Sequence, residues 1–255
     1  MNTLRKYHRL VAAATVSVVG LVACGDGADT SAKAFCDTNM DLERAFVQSP
    51  FEDDTTAEDI KAYYQSEMAP LVSRFQDQAP DDLDADVATM VAVAGEFGTT
   101  GNFELFEDPS DAYAAAEDRV EDHLFATCDA EKLEVAAVDY AFQGIPANLE
   151  AGRTTIRMVN RSDSEEPHML GLVRKLQDIS LDELLEVPDE DFDQFAEDVG
   201  FGYVAAPGDV DVMFFDLEPG QYALACFVSQ GSTADTEGDG EPHAYLGMRW
   251  EFTVT

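Results

Sequence analysis

Apolar residues recur at three- and four-residue steps along the first half of the chain. Ile60, Tyr64, Met68, Leu71 and Phe75 form one stripe, Leu83, Val87, Met90, Val91, Ala94 and Phe97 a second, and Tyr113, Ala116, Val120 and Leu124 a third. A shorter stripe of Phe35, Leu42 and Phe46 precedes them. Residues three and four apart are neighbours on a helical surface, so each set marks one buried face of an α-helix. The pattern predicts four helices between Ala34 and Cys128, joined by short acidic loops and packed as an up-and-down bundle. Thr55 with Glu58 has the form of a capping box ahead of the second helix, and Pro109-Ser110-Asp111 marks the start of the last. Pro70 lacks an N–H and should kink or split the second helix.

From Leu133 onward the period shortens to that of strands. Runs at Leu133 to Val138, Thr154 to Asn160, Met169 to Val173, Val210 to Phe215, Tyr222 to Phe227 and Trp250 to Val254 are separated by turn residues. Among these, Pro219-Gly220 is the pair a type II turn prefers at its centre. Short strands at such spacing predict a sandwich or barrel. Between the third and fourth runs lies an insert, about Ser180 to Gly208. A second capping box at Ser180 and Glu183, and a stripe of Phe192, Phe195 and Val199, predict one or two short helices there.

The fold class read from this pattern is α + β with two domains, a helical bundle over 33–130 and an antiparallel β-sandwich with a short helical insert over 131–255. Two further segments precede them. Arg5, Lys6 and Arg9 followed by the apolar run Leu10 to Ala23 read as a targeting segment, residues 1–23. At roughly 14 residues the apolar run is shorter than the ~20 needed for a permanent membrane span. Its end, Leu21-Val22-Ala23-Cys24, resembles the lipobox of bacterial-type lipoproteins, which implies cleavage before Cys24 and lipidation of that cysteine. The alternative is an ordinary secreted protein cut nearby. Either reading places the chain outside the cytoplasm, and lipidation would hold it on the outer face of the cell membrane. Residues 24–32 are small and polar and read as a flexible tether.

Charge adds an exclusion. The chain carries 52 acidic residues against 15 basic ones. Loss of residues 1–23 would leave 12 basic residues and a formal charge of −40. Such a surface repels nucleic acid, so no nucleic-acid partner is expected.

Cysteine placement divides the four cysteines into roles. With Cys24 lipidated, three remain in an oxidising compartment. Cys36 lies near the start of the first predicted helix and Cys128 near the end of the fourth, positions an antiparallel bundle can bring side by side. A Cys36–Cys128 disulfide is the natural pairing, and Cys226 is left alone in the β region. As a bare thiol it is either a buried structural residue or a metal ligand.

The residues around Cys226 decide which reading is sharper. The segment Leu217 to Cys226, followed by His243-Ala244-Tyr245-Leu246-Gly247-Met248 and a last strand Arg249 to Val254, resembles the C-terminal portion of the cupredoxin family. Upstream, Ile145-Pro146, Ala151-Gly152, Ile156 to Asn160 and Pro167-His168 resemble the stretch in which that family places its first histidine. The resemblance implies a cupredoxin-like sandwich holding one copper ion through His168, Cys226 and His243, with Met248 as a weak axial thioether. Imidazole and soft sulfur together suit copper and electron transfer, though Cys and His also serve zinc. His123, in a helical stretch beside acidic residues, reads as a surface or packing residue.

Two departures from the family pattern stand out. Sixteen residues separate Cys226 from His243, which would leave the site looser and more exposed. Met169 also stands where the better-known members have an asparagine that hydrogen-bonds around the cysteine loop. The functional expectation is a membrane-anchored, extracytoplasmic electron-transfer protein exchanging electrons with a redox partner. Copper capture or delivery to a copper-exchange partner, and a metal-free interaction module, are the alternatives. No His-Glu-x-x-His, Gly-x-Ser-x-Gly, phosphate loop or His-x-His pair is found, so an enzyme is not expected.

Overall fold

The computed structural model of the protein describes residues 27–51, 55–107 and 109–255. The targeting segment and Cys24 lie outside the described residues. The described chain divides into two compact units between Asp129 and Ala130.

The first unit is helical. Its long helices are α1 (Gly27–Val47), α2 (Ala57–Tyr63) continued through a π turn into α3 (Ala69–Asp77), α4 (Asp84–Thr100) and α6 (Asp111–Thr127), with a single turn α5 (Glu104–Glu107). The stripes read from the sequence supply much of the core: Ile60, Tyr64 and Phe97 are buried together with Phe51 and with Val72, which takes the inward place expected of Leu71. Helix α4 packs against α3 and α6, and α1 against α3. Phe35 stacks on Phe75 at 4.4 Å between ring centres, and His123 meets the edge of Phe35, a packing role. Cys36 and Cys128 are disulfide-bonded with Cα atoms 5.7 Å apart.

Two local expectations in this unit need correction, and a third holds with a shift in place. Helix α1 already begins at Gly27, inside the segment read as a tether, because Ala32 and Ala34 carry helical propensity among the polar residues. The cap of α2 is Thr56, which accepts from the Asp59 N–H, not Thr55; the burial of Ile60 sets the frame one residue later. The interruption expected at Pro70 lies just before it, as a π turn, and the helix resumes as α3 with Pro70 in its first turn. Such a wider turn, at Tyr64–Met68, accommodates a proline ring that would strike the carbonyl four residues back.

The second unit is a two-sheet sandwich. One sheet has the order β2-β1-β4-β7 and the other β3-β9-β8-β5-β6. Their strands are β1 (Glu131–Val138), β2 (Ala141–Gln143), β3 (Asn148–Leu149), β4 (Gly152–Asn160), β5 (His168–Lys175), β6 (Ala196–Val204), β7 (Val210–Leu217), β8 (Gly220–Ala225) and β9 (Arg249–Val254). Alternate residues of β1, Leu133, Val135 and Ala137, face a core shared with Ile156, Met158, Leu170, Leu172, Leu224 and Phe252. Each of these side chains larger than alanine contributes ~1.5–3 kcal/mol by leaving water.

The sandwich is mixed, not purely antiparallel. β1 runs parallel to β4, and β3 parallel to β9, because β3 lies in the opposite sheet and the chain changes sheet between β2 and β4. The insert is also more than helical. Helix α7 (Leu181–Leu185), capped by the Ser180–Glu183 box, and a 3₁₀ segment (Asp189–Gln194) are followed by β6, an edge strand paired antiparallel with β5. Glu197, Asp198, Gly200 and Gly202 conceal that strand in the sequence, as neither acidic residues nor glycines favour strands. Leu181, Leu184 and Ala196 bury Ala223 beneath a second small core. Val173 of β5 packs against that small core, while Met169, Leu170 and Leu172 before it belong to the main core. Gly220 does not adopt the positive φ of a type II turn; the Arg174 side chain fills the space a Cβ would take, 3.0 Å away at Nε.

Candidate metal centre

Three segments converge at one end of the sandwich. His168 is the first residue of β5, Cys226 follows the last residue of β8, and His243 opens the single helical turn α8 (His243–Leu246) before β9. Gly247, at φ 118, reverses the chain after α8 so that Met248 stands just before β9. An L-residue rarely adopts that φ, and glycine takes it without steric cost.

Side-chain donor atoms of His168, Cys226 and His243 all lie within 4.8 Å of one another. The Cys226 Sγ to His243 Nδ1 separation is 3.5 Å. Metal–sulfur and metal–nitrogen bonds of about 2.3 and 2.0 Å, opened to a tetrahedral angle, place their donors about 3.5 Å apart. The observed spacing therefore fits two ligands of one ion. All three residues are 0 % exposed, as is Met248. Met248 is tied to the same corner by its backbone, its carbonyl accepting from the Cys226 N–H at 3.0 Å and its N–H donating to the His243 carbonyl at 2.9 Å.

The expectation of a loose, exposed site is overturned. The long connection from Cys226 to His243 is pinched at its base by Ala244 N–H to Cys226 O at 2.7 Å, His243 N–H to Val228 O at 2.9 Å and Gln230 N–H to Glu241 O at 3.0 Å. A bridge between Ser229 and Pro242 completes the closure. The extra residues leave the site as a separate excursion, held inside by Ser232 Oγ donating to Ser229 O and Gly238 N–H donating to Ser232 Oγ. The loop next to the sulfur is thus short in space though long in sequence.

The departure at Met169 loses its force for a similar reason. The hydrogen bond to the Cys226 sulfur comes from the Met169 backbone N–H, at 3.2 Å, and needs no particular side chain. Burial pushes the Cys226 thiol up to about 12, with the Met169 and Val228 N–H groups opposing that shift. The sulfur therefore stays protonated near neutrality unless a cation takes the proton's place. Burial, with His243 alongside, pushes His168 down to about 4. Burial also lowers His243, against the pull of Glu166 and Asp139. Both imidazoles are consequently neutral lone-pair donors around pH 7.

Neither ring nitrogen of His168 has a hydrogen-bond partner. A buried polar group left unsatisfied costs ~1–3 kcal/mol. Two such atoms beside a thiol and a second imidazole are the signature of a site completed by an ion. Among the described residues this is the one group of three metal-ligating side chains found.

Further residues complete the surroundings, of which the sequence reading names Asn160 but not Tyr140 or Glu166. Asn160, at the end of β4, donates through Nδ2 to the Glu166 carbonyl at 3.1 Å and accepts from Ser162, which shapes the loop leading to His168. Tyr140 packs its ring edgewise on His243 with centres 4.9 Å apart. Its φ of 56° is an uncommon conformation for a bulky residue, costing on the order of 1–3 kcal/mol. Glu166 lies 3.4 Å from His243 Nε2. The adjacency Glu166-Pro167-His168 was the available signal, but one carboxylate among 52 acidic residues carries no information by itself.

No protein-family model matches the chain, and no curated protein does so. Among solved structures, the reduced auracyanin of the photosynthetic bacterium Roseiflexus castenholzii is 18% identical over 49% of this chain and 98% of its own, with a TM-score of 0.35. Auracyanin B is 20% identical over 50% of this chain and 91% of its own, with a TM-score of 0.35. An azurin of Methylomonas sp. strain J is 13% identical over 49% of this chain and 98% of its own, with a TM-score of 0.31. At such identities and scores, what those proteins bind is a property of theirs. For this chain the finding is the convergence of His168, Cys226 and His243 at one end of a two-sheet sandwich, with the Met248 backbone hydrogen-bonded to the latter two.

Proposed function

We propose that Ala130–Thr255 is a cupredoxin-like module that binds one copper ion for electron transfer, outside the cytoplasm. The observation that carries this is the fully buried convergence of two neutral imidazoles and a thiol, with the His168 nitrogens unpartnered. His168 and His243 would supply nitrogen, Cys226 a thiolate and Met248 a weak thioether. This donor set suits copper over harder cations. Copper supplies a one-electron couple. The chain's part is to hold four donors in a dry, preformed pocket, with the Met169 N–H fixing the sulfur, so that little rearranges when charge changes.

Complete burial favours electron transfer over capture and delivery, since handing an ion to a partner requires ligands within that partner's reach. The Cys36–Cys128 disulfide supports an oxidising compartment. No helix among the described residues is long and apolar enough to cross a membrane. Attachment would then rest on a lipid at Cys24, with a redox protein of the same membrane face as partner.

The test is spectroscopic. Purified protein given Cu(II) develops an intense visible charge-transfer band, and Cys226→Ala abolishes it. A wild type that stays colourless and retains no copper after desalting refutes the reading.

A further inference from the structure

The two imidazoles are held unequally, and the difference lies in what backs each ring. His168 has no polar partner on either nitrogen. His243 presents Nδ1 to the Cys226 sulfur and has a carboxylate behind it, its Nε2 lying 3.4 Å from Glu166 Oε2. That contact is at ion-pair distance and falls short of hydrogen-bond geometry; closing it by about half an ångström would bring it into the charge-assisted range.

Glu166 is itself tightly placed. Its side chain is 14% exposed. The Tyr140 hydroxyl donates to Oε2 at 3.2 Å, and the Gly231 N–H donates to Oε1. Gln230 in turn donates to the Tyr140 hydroxyl at 2.8 Å. The excursion after Cys226 thus begins with two residues that lock Tyr140 and Glu166 over the outer edge of His243.

We propose that Glu166 is a positioning residue for His243. Its carboxylate takes the Nε2–H, which leaves the Nδ1 lone pair facing the sulfur and the metal. Its negative charge also strengthens that imidazole as a donor and favours the oxidised ion over the reduced one. Ligating histidines commonly donate their second N–H to a carboxylate, and loss of such a partner changes metal affinity by 10–100-fold. The proposal rests on the copper reading above for its redox consequence, and on geometry alone for the tautomer.

Two measurements separate these layers. In the metal-free full-length protein, ¹⁵N NMR of the imidazoles should show His243 protonated on Nε2 in the wild type, and a mixture of tautomers in Glu166→Ala. In the copper-loaded protein, Glu166→Gln keeps the shape and an oxygen acceptor but removes the charge. It should shift the Cu(II)/Cu(I) binding ratio at least tenfold toward Cu(I), a rise of about 59 mV in midpoint potential. Glu166→Asp, which restores the charge, should recover part of that shift. Glu165→Gln, which neutralises an exposed charge in the same loop, should change the ratio less than twofold.

Equal shifts in the two glutamine variants, or a wild-type His243 protonated on Nδ1, would overturn the proposal and leave Glu166 as an anchor for Gly231. If the wild type takes up no copper, the copper reading fails, and the tautomer measurement alone then decides whether Glu166 positions His243.

Discussion

The helical unit and the sandwich each bury cysteine, and they use it in opposite ways. Cys36 and Cys128 are almost as hidden as Cys226, yet they spend their sulfur on each other and close the helical unit covalently. Cys226 remains a thiol, with a backbone N–H and an imidazole as neighbours. Burial therefore does not assign a role to cysteine; the groups within about 3.5 Å of the sulfur do. The disulfide stabilises the helical unit whether or not anything binds, whereas the sandwich keeps both His168 nitrogens without a hydrogen-bond partner beside a free thiol.

The largest way to break that contrast is to open the disulfide. A Cys36→Ala/Cys128→Ala variant should destabilise the helical unit by ~4.6 kcal/mol, the loop-closure value for a sequence separation of 92. Calorimetry should show that transition fall while the copper-dependent band of the sandwich is unchanged. A band lost together with the helical transition would show that the two units are not energetically separate.

Next comes a half-buried carboxyl in the sandwich. Burial, with Asp193 nearby, pushes Asp198 up from 3.8 to about 7. Between those values the folded carboxyl is protonated while the unfolded one is ionised, so stability falls as pH rises and the full penalty is present above about 7. Asp198→Asn should thus leave stability unchanged at pH 3.5 and raise it by roughly 4 kcal/mol at pH 8, at 1.36 kcal/mol per unit. Denaturant melts across that range check it; a gain independent of pH would assign the effect to something other than ionisation.

A smaller effect sharpens the contrast from the site itself. His168→Leu removes two unpartnered nitrogens and should stabilise the metal-free sandwich by ~2 kcal/mol while abolishing copper binding. The sign follows from burial. The unfolded imidazole protonates near 6.5 and the folded one only near about 4, so wild-type stability drops as pH falls through that window. The variant should lack that drop, and its advantage should be larger at pH 4 than at pH 7. The smallest change is a helix cap: Ser110→Ala removes the acceptor for the Tyr113 N–H and should cost about 1 kcal/mol in the helical unit alone.

Much of this architecture was legible because it is written in local periodicity. The helical stripes around Ile60, Val87 and Val120, and six of the nine strands, came from spacing, since burial of one face imposes a period on the residues that form it. The Ser110 and Ser180 caps were legible for the same local reason. The frame of the α2 cap was missed by one residue, because Thr55 and Thr56 are both competent and only the burial of Ile60 separates them. Strand β6 was missed because its claim to a sheet is its partner β5, not its own composition.

From the sequence alone come the helical and the strand halves and the Cys36–Cys128 pairing, since periodicity and position suffice for these, while His168, Cys226, His243 and Met248 enter as candidate donors through a family resemblance. The tertiary structure alone decided that the sheets are mixed, that the long connection is pinched shut beside the sulfur, and that Met169 serves through its backbone. It also decided that Glu166 and Tyr140, among many acidic and aromatic residues, stand over His243. The physical reason is common to all four. Each depends on groups brought together from distant stretches of chain, where hydrogen-bond partners and exclusion of water are set by long-range pairing that leaves no periodic trace in the residues themselves.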